Sequence, residues 1–246
     1  MMRLIDLLNE GVYDPSILKC IFLAGGPGSG KSTVASEIFG IGKGATSVSY
    51  SGLKSVNSDT AFEAQLKKNG IDAKQLASIE KENPELWDKI AGAGEHSIRS
   101  QAKAITKKQQ SFYEAGRLGM IIDGTGHDFA KIKKQKEKAE SLGYDCYMVF
   151  VNTSLEVAKE RNQKRDRVLP EKILVQSWKD VQENLGKFQG LFSGNLTIVD
   201  NTVYKPIDRE VQKAINRFIS KPIYNRIGKQ WIQTARALKS ANLIKK

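Results

Sequence analysis

Residues Ile21 to Thr33 read IFLAGGPGSGKST, an apolar run that breaks into glycines and ends on a lysine and two hydroxyl side chains. Gly25, Gly26, Pro27, Gly28, Ser29, Gly30, Lys31 and Ser32 fit the pattern G-x-x-x-x-G-K-S. They sit where that pattern has physical meaning, after a predicted buried strand and at the opening of a helix. Glycines let the backbone curl until successive N–H groups point at phosphate oxygens, and the helix N-terminus adds its positive end. Lys31 then reaches the outer phosphates, Ser32 can ligate Mg²⁺, and Thr33 assists the neighbouring phosphate. The stretch predicts a loop that holds the phosphates of ATP or GTP, with Mg²⁺ as the accompanying ion.

Outward from this loop, short β-branched or aromatic runs alternate with longer helical stretches, the signature of βα units on a parallel sheet. Strands are predicted over 19–24, 54–58, 119–123, 144–151 and 195–199. Asn83-Pro84 predicts a helix start, with the helical region reaching about Ala115 and a break at Gly92-Ala93-Gly94. Thr153 with Glu156 reads as a capping box for a helix through Arg165, and Gly143 stops the helix that begins near Asp128. After Val203 the pattern changes to two basic helical stretches, 206–220 and 223–243. The expected fold class is therefore α/β, a parallel sheet flanked by helices, with a basic helical C-terminal extension.

Composition narrows the function classes. Across 246 residues, 40% hydrophobic and 27% charged describe a globular chain, and no apolar run approaches the ~20 residues of a membrane span. The opening MMRLIDLLNEG sets Arg3, Asp6 and Glu10 among its leucines, which predicts a short amphipathic helix in place of a secretion signal, and a cytoplasmic location. Only Cys20 and Cys146 are present, each in a predicted buried strand, so neither a disulfide framework nor a metal-ligand spacing exists. The net charge of +12 points to an anionic partner. Seven basic residues and no acid lie between Lys221 and Lys246, so most of that charge belongs to the tail.

Parallel strands deliver their last residues to one edge of the sheet, where ligands bind. The third strand ends MIID and continues Gly124-Thr125-Gly126, which brings Asp123 to that edge, either to support Mg²⁺ or as an ordinary turn residue. The second gives Val56-Asn57-Ser58-Asp59-Thr60, where Asp59 can accept the proton of an attacking hydroxyl or cap the helix that follows. Arg161, Arg165 and Arg167 stand in RNQKRDRVLP, either to neutralise charge on a transferred phosphoryl group or as a solvated basic face paired with Glu156 and Glu160. His127 follows the glycine turn with nothing in the sequence to pair with it.

Together GGPGSGKST, VNSDT, IIDGTG, LGYDCYMVFV, the RNQKR arginines and ENLGKFQGLFSGNLTIVDN resemble zeta-toxin-like kinases and the related phage-type polynucleotide 5′-kinases, over about 21–203. The resemblance implies a P-loop kinase fold divided as a short N-terminal helix over 1–16, a kinase domain over 17–204 and a basic helical tail over 205–246. It implies Lys31 and Ser32 on the nucleotide, Asp59 as general base, and Asp123 and Thr125 beside metal and acceptor. Arg161, Arg165 or Arg167 become lid arginines, and Asp200 and Asn201 lie near the nucleotide base. The sequence departs from the pattern at Phe62, where those families commonly carry a basic residue that positions the acceptor; Lys67 and Lys68 stand further along. The implied reaction is transfer of phosphate from ATP or GTP to a hydroxyl of a nucleotide sugar or similar small molecule, or to the 5′ end of a nucleic acid. A nucleotide-dependent binding protein with a docking tail is the alternative from another class. An antitoxin-like protein partner belongs to the same resemblance, though no residue marks it. In the tail, Ile223, Ile227, Trp231 and Leu238 predict one apolar helix face, which either packs on the core or leaves the basic residues to grip nucleic acid.

Overall fold

β1 (Lys19–Ala24) runs through the glycine loop into α1 (Lys31–Phe39), and β2 (Lys54–Val56) runs into α2 (Ser58–Lys68). Three helices, α3 (Leu76–Glu82), α4 (Pro84–Ala91) and α5 (Ile98–Ala115), fill the long connection to β3 (Met120–Asp123). Then come α6 (Phe129–Ser141), β4 (Asp145–Asn152), α7 (Leu155–Gln163), α8 (Glu171–Phe192), β5 (Leu196–Asp200), α9 (Arg209–Ser220) and α10 (Arg226–Ser240). The structure is a computed structural model and describes residues 11–41, 48–165 and 168–240. The helix expected over 1–16 falls largely outside them; the described part of that range holds a 3-10 turn at Gly11–Tyr13.

The five strands form one sheet in the order β2-β3-β1-β4-β5, and every pairing is parallel. β1 and β4 are apolar on both faces because helices cover both, as parallel sheets require. Alternation along the strands divides the core. Phe22, Ile122, Met148 and Phe150 face α6 and α8, where Ile132, Val181, Phe188 and Phe192 meet them. Ile21, Leu23, Ile121 and Val149 face the other way, onto Val34, Ile38 and Phe39 of α1 and Ile215, Phe218 and Ile219 of α9. A third cluster, Phe62, Leu66, Leu76, Ile90, Ile98 and Ala102, joins α2 to α5 beyond the β2 edge. Full burial of such side chains contributes roughly 1.5–3 kcal/mol each.

Helix ends follow local chemistry. Asn83 caps α4 by accepting from the Leu86 N–H, with Pro84 in the first turn, and the break near Gly92 separates α4 from α5, which Ser97 caps. The capping box expected at Thr153 is one residue displaced: Ser154 accepts from Val157 N at 3.3 Å, while the Thr153 hydroxyl turns toward the Asn201 carbonyl. Asn57, not Asp59, caps α2, and β2 stops at Val56 to supply it.

The tail is built into this core. The Asp145 carboxylate, buried at the start of β4, accepts from Lys19 Nζ at 3.1 Å and from the backbone N–H groups of Tyr224 and Asn225, which anchors α10. Gly228 lies against Gly143, where an added Cβ would meet the Gly143 carbonyl at 2.2 Å. That close approach turns Gly228, Trp231, Ile232 and Ala235 inward at helical spacing. Ile227 and Leu238, expected on the apolar face, stay 51% and 40% exposed. Among the described residues no helix is long and apolar enough to cross a membrane.

Candidate active site

The loop after β1 closes against its neighbours through backbone contacts. Gly25 N donates to the Thr125 carbonyl at 3.2 Å, and Gly124 N donates to the Leu23 carbonyl at 2.9 Å, so the turn after β3 lies beside the glycine loop. Gly30 ends the loop at φ +82, a left-handed conformation that a side chain disfavours, and a Cβ there would strike the Asn201 amide. It stands at the N-cap of α1 with no side chain capping that end, which leaves the helix N-terminus available to an anion. Ser32 and Thr33 are exposed on this first turn. Ser29 is buried, and its hydroxyl has no hydrogen-bond partner among the described residues.

Lys31 bends back over the loop and donates to the carbonyls of Gly25 at 2.7 Å and Gly26 at 3.5 Å. Burial lowers its pKa, the negative charges of Asp123 and Asp59 oppose that, and the positive charge of Arg165 adds to it. Asp123, at the end of β3, shows the converse. Burial raises its pKa, with Lys31 acting against the shift and Asp59 adding to it. Asn57 Nδ2 donates to Asp123 Oδ2 at 2.7 Å and aims the carboxylate. Lys31, Asp59, Asp123 and Arg165 thus act on one another electrostatically at the C-terminal edge of the sheet.

Because Asn57 provides the cap, the Asp59 carboxylate is released from that duty. It is 73% exposed, and its Oδ1 lies 2.8 Å from Arg99 Nη1 on α5. Thr125 Oγ1 contacts His127 Nδ1, so the two side chains of the glycine turn orient one another. Asn184 of α8 donates to the carbonyls of Gly126 and His127 and holds that turn in place. An open pocket beside it is lined by Asp123, Thr125, His127, Lys131 and Gln135.

The arginines separate. α7 ends at Gln163, so Arg161 and Arg165 do not share a helix face. Arg161 Nη1 points at the Gly28 carbonyl, 3.5 Å away, and Arg165 lies beyond the helix end, while Arg167 lies outside the described residues. In the alternative reading the arginines pair with Glu156 and Glu160, but Glu160 pairs with Lys164 at 2.5 Å. Asn201 donates to the Ser29 carbonyl at 2.7 Å and so supports the glycine loop. Arg99 and Trp178 lie in no motif of the sequence, while Asn162 and Asn184 lie inside RNQKR and ENLGKFQGLFSGNLTIVDN but were given no role there. Trp178 packs over Gly26 and donates to the Thr153 carbonyl, and Asn162 clamps Leu169 through both its backbone groups.

The donor set fits Mg²⁺, a hard cation that takes oxygen ligands and keeps few from protein. Ser32 and Asp123 offer a hydroxyl and a carboxylate beside the phosphate loop. Among the described residues no group of three His, Cys, Asp or Glu side chains converges as a metal site on its own.

Fold and loop together define a class, the P-loop nucleotide-binding proteins with a parallel sheet flanked by helices. Within that class the chain belongs to the AAA domain family (AAA_33), whose model matches residues 20–188. No curated protein matches it. Solved structures similar to it include a chain of the PezAT chromosomal toxin-antitoxin system of Streptococcus pneumoniae, at 13% identity and TM-score 0.46 over 92% of this chain and 88% of that one. A chain of the AvrRxo1-ORF1:AvrRxo1-ORF2 structure with sulphate ions is 12% identical, with TM-score 0.47 over 86% and 70%. Shikimate kinase from Acinetobacter baumannii, in complex with shikimate, is 15% identical, with TM-score 0.39 over 85% and 96%.

Proposed function

We propose that the chain is a phosphotransferase that moves the γ-phosphoryl group of ATP or GTP to a hydroxyl of a small acceptor, a nucleotide sugar or a related molecule. The observation that carries this reading is Asp59. A protein that only binds a nucleotide needs the glycine loop and Asp123, but has no use for a second, solvent-facing carboxylate, freed from helix capping, that shares their electrostatic field.

In this mechanism Lys31 leaves the loop carbonyls and binds the β- and γ-phosphates, while the α1 N-terminus and the loop N–H groups hold their oxygens. Mg²⁺, held by Ser32 and Asp123, neutralises phosphate charge when bound. Asp59 accepts the proton of the acceptor hydroxyl as its oxygen bonds to the γ-phosphorus. The bond from that phosphorus to the β–γ bridging oxygen breaks, and the nucleoside diphosphate departs. Arg161 and Arg165 stabilise charge on the moving group. Thr125, oriented by His127, lies beside the acceptor.

The test is incubation with γ-labelled ATP or GTP and Mg²⁺ against nucleotide sugars, nucleosides and 5′-hydroxyl oligonucleotides. Label on a small acceptor is expected. Label on oligonucleotide ends alone would redirect the proposal to a polynucleotide 5′-hydroxyl kinase. Nucleotide binding with no labelled acceptor would favour a nucleotide-dependent binding protein.

A further inference from the structure

α2 presents Asp59 and Phe62 three residues apart, hence on one helix face, toward α5. Arg99 of α5 meets both. Its guanidinium carbon lies 5.0 Å from the centroid of the Phe62 ring, and its Nη1 lies 2.8 Å from Asp59 Oδ1. Phe62 is itself buried with Ile98 and Ala102, the neighbours of Arg99 along α5, so the arginine is held on a packed platform. An exposed ion pair contributes only about 0–1 kcal/mol to folding, and the Asp59 end of this pair is 73% exposed against 25% for Arg99. Stability alone therefore gives a weak reason to fix a guanidinium here.

Its donors supply another reason. Nη1 is buried, and although the Asp59 charge is close, no N–H on that atom is aligned with an acceptor among the described residues, while 25% of the side chain stays open to solvent. A guanidinium carries five N–H donors in a planar fork that matches the paired oxygens of phosphate or carboxylate. One carboxylate oxygen, approached off-axis, leaves most of that fork unused at the rim of the site.

We infer that Arg99 is a binding residue for the acceptor, gripping an anionic oxygen pair carried next to the hydroxyl that Asp59 serves. The acceptor is thus an oxyanion-bearing alcohol, and Arg99 ties its position to the base. This inference rests on the phosphotransferase reading of the same site.

The test uses the full chain with its glycine loop filled by Mg²⁺ and a non-hydrolysable ATP analogue. Calorimetry then measures binding of three matched pairs: adenosine 3′-monophosphate and adenosine, uridine diphosphate N-acetylglucosamine and N-acetylglucosamine, glucuronate and glucose. At least one anionic member is expected to bind more tightly than its neutral partner. Its affinity should fall about 10-fold or more in Arg99→Gln, as expected for a lost charge-assisted hydrogen bond, and recover in part in Arg99→Lys. Affinity for the ATP analogue should not change in either variant. The responding pair identifies the source of the anion. An equal loss for neutral and anionic members would make Arg99 a support for Asp59 and overturn the proposal, as would anionic binding that ignores Arg99 or is absent from all three pairs. Labelled-ATP transfer run in parallel separates the two readings: Arg99-dependent binding without labelled product counts against phosphoryl transfer and leaves the anion site standing.

Discussion

At Lys31 a half-buried ammonium faces two loop carbonyls, an arrangement suited to swinging onto phosphate and poorly suited to holding a core together. Burying a charge is unfavourable, and the lowered pKa of Lys31 reflects it. Lys31→Ala is expected to abolish transfer and weaken triphosphate binding while leaving the thermal melt close to wild type; a mutant with normal turnover in the labelling assay would remove the central claim. At Asp59 the argument concerns the acceptor. Asp59→Asn keeps the shape and removes the proposed proton acceptor, so nucleotide affinity should hold while turnover falls by about 10² to 10⁴. Paired measurement of nucleotide affinity and turnover checks this. Weakened affinity with unchanged turnover would reassign Asp59 to the metal.

At the scale of elements, the segment after α7 carries Arg165 toward the loop, and Asn162 fastens it. Its side chain donates to the Leu169 carbonyl at 2.8 Å and accepts from the Leu169 N–H at 3.1 Å, closing the turn that leads to α8. Asn162→Ala removes both hydrogen bonds to the half-buried Leu169 backbone, each worth about 0.5–1.5 kcal/mol. Thermal melts should report that loss. Turnover should fall more than nucleotide affinity, because in the proposed mechanism the charge that Arg165 meets is greatest during transfer. Equal losses in both would mean that this segment supports the nucleotide alone.

For the whole molecule the decisive contact is the docking of α10. Ile223 is buried and Trp231 and Ile232 pack against the same cluster as Phe22 and Phe192, so removing 221–246 exposes core. The truncated chain is expected to be insoluble or markedly less stable, measured by soluble yield and melting temperature. Gly228→Ala tests the same interface gently: the new Cβ meets the Gly143 carbonyl, and overpacking of this kind costs roughly 1–3 kcal/mol. By contrast Lys229 and Arg236 lie exposed on one flank of α10, outside its inward face, so the double reversal Lys229→Glu with Arg236→Glu should preserve the melt. That variant is also the one in which to measure oligonucleotide binding against salt, since it changes the charge of the tail without undoing its packing.

The order of elements and the phosphate loop were legible in the sequence because they depend on local rules. Buried parallel strands read as short β-branched and aromatic runs, and a loop that curls around phosphate requires its glycines and lysine at set spacing. All five predicted strands overlap observed ones for this reason. Local rules also located Asp59 and Asp123, since the end of a parallel strand marks the edge of the sheet. They could not say which residue caps α2, because Asn57 and Asp59 are both good caps, and only the partner waiting on α5 separates their roles. Nor could they find Arg99, which lies 40 residues from Asp59 in the chain and reaches it through the packing of α2 on α5. The inward face of α10 was misread for a related reason: hydrophobicity nominated Ile227 and Leu238, whereas the close approach of Gly228 to Gly143 set the rotation of the helix. The sequence by itself determined the nucleotide-binding half of the site, whose geometry is backbone within one segment. Tertiary structure decided the surroundings of Asp59 and the seat of the tail, because both are made of side chains brought together across the chain by burial.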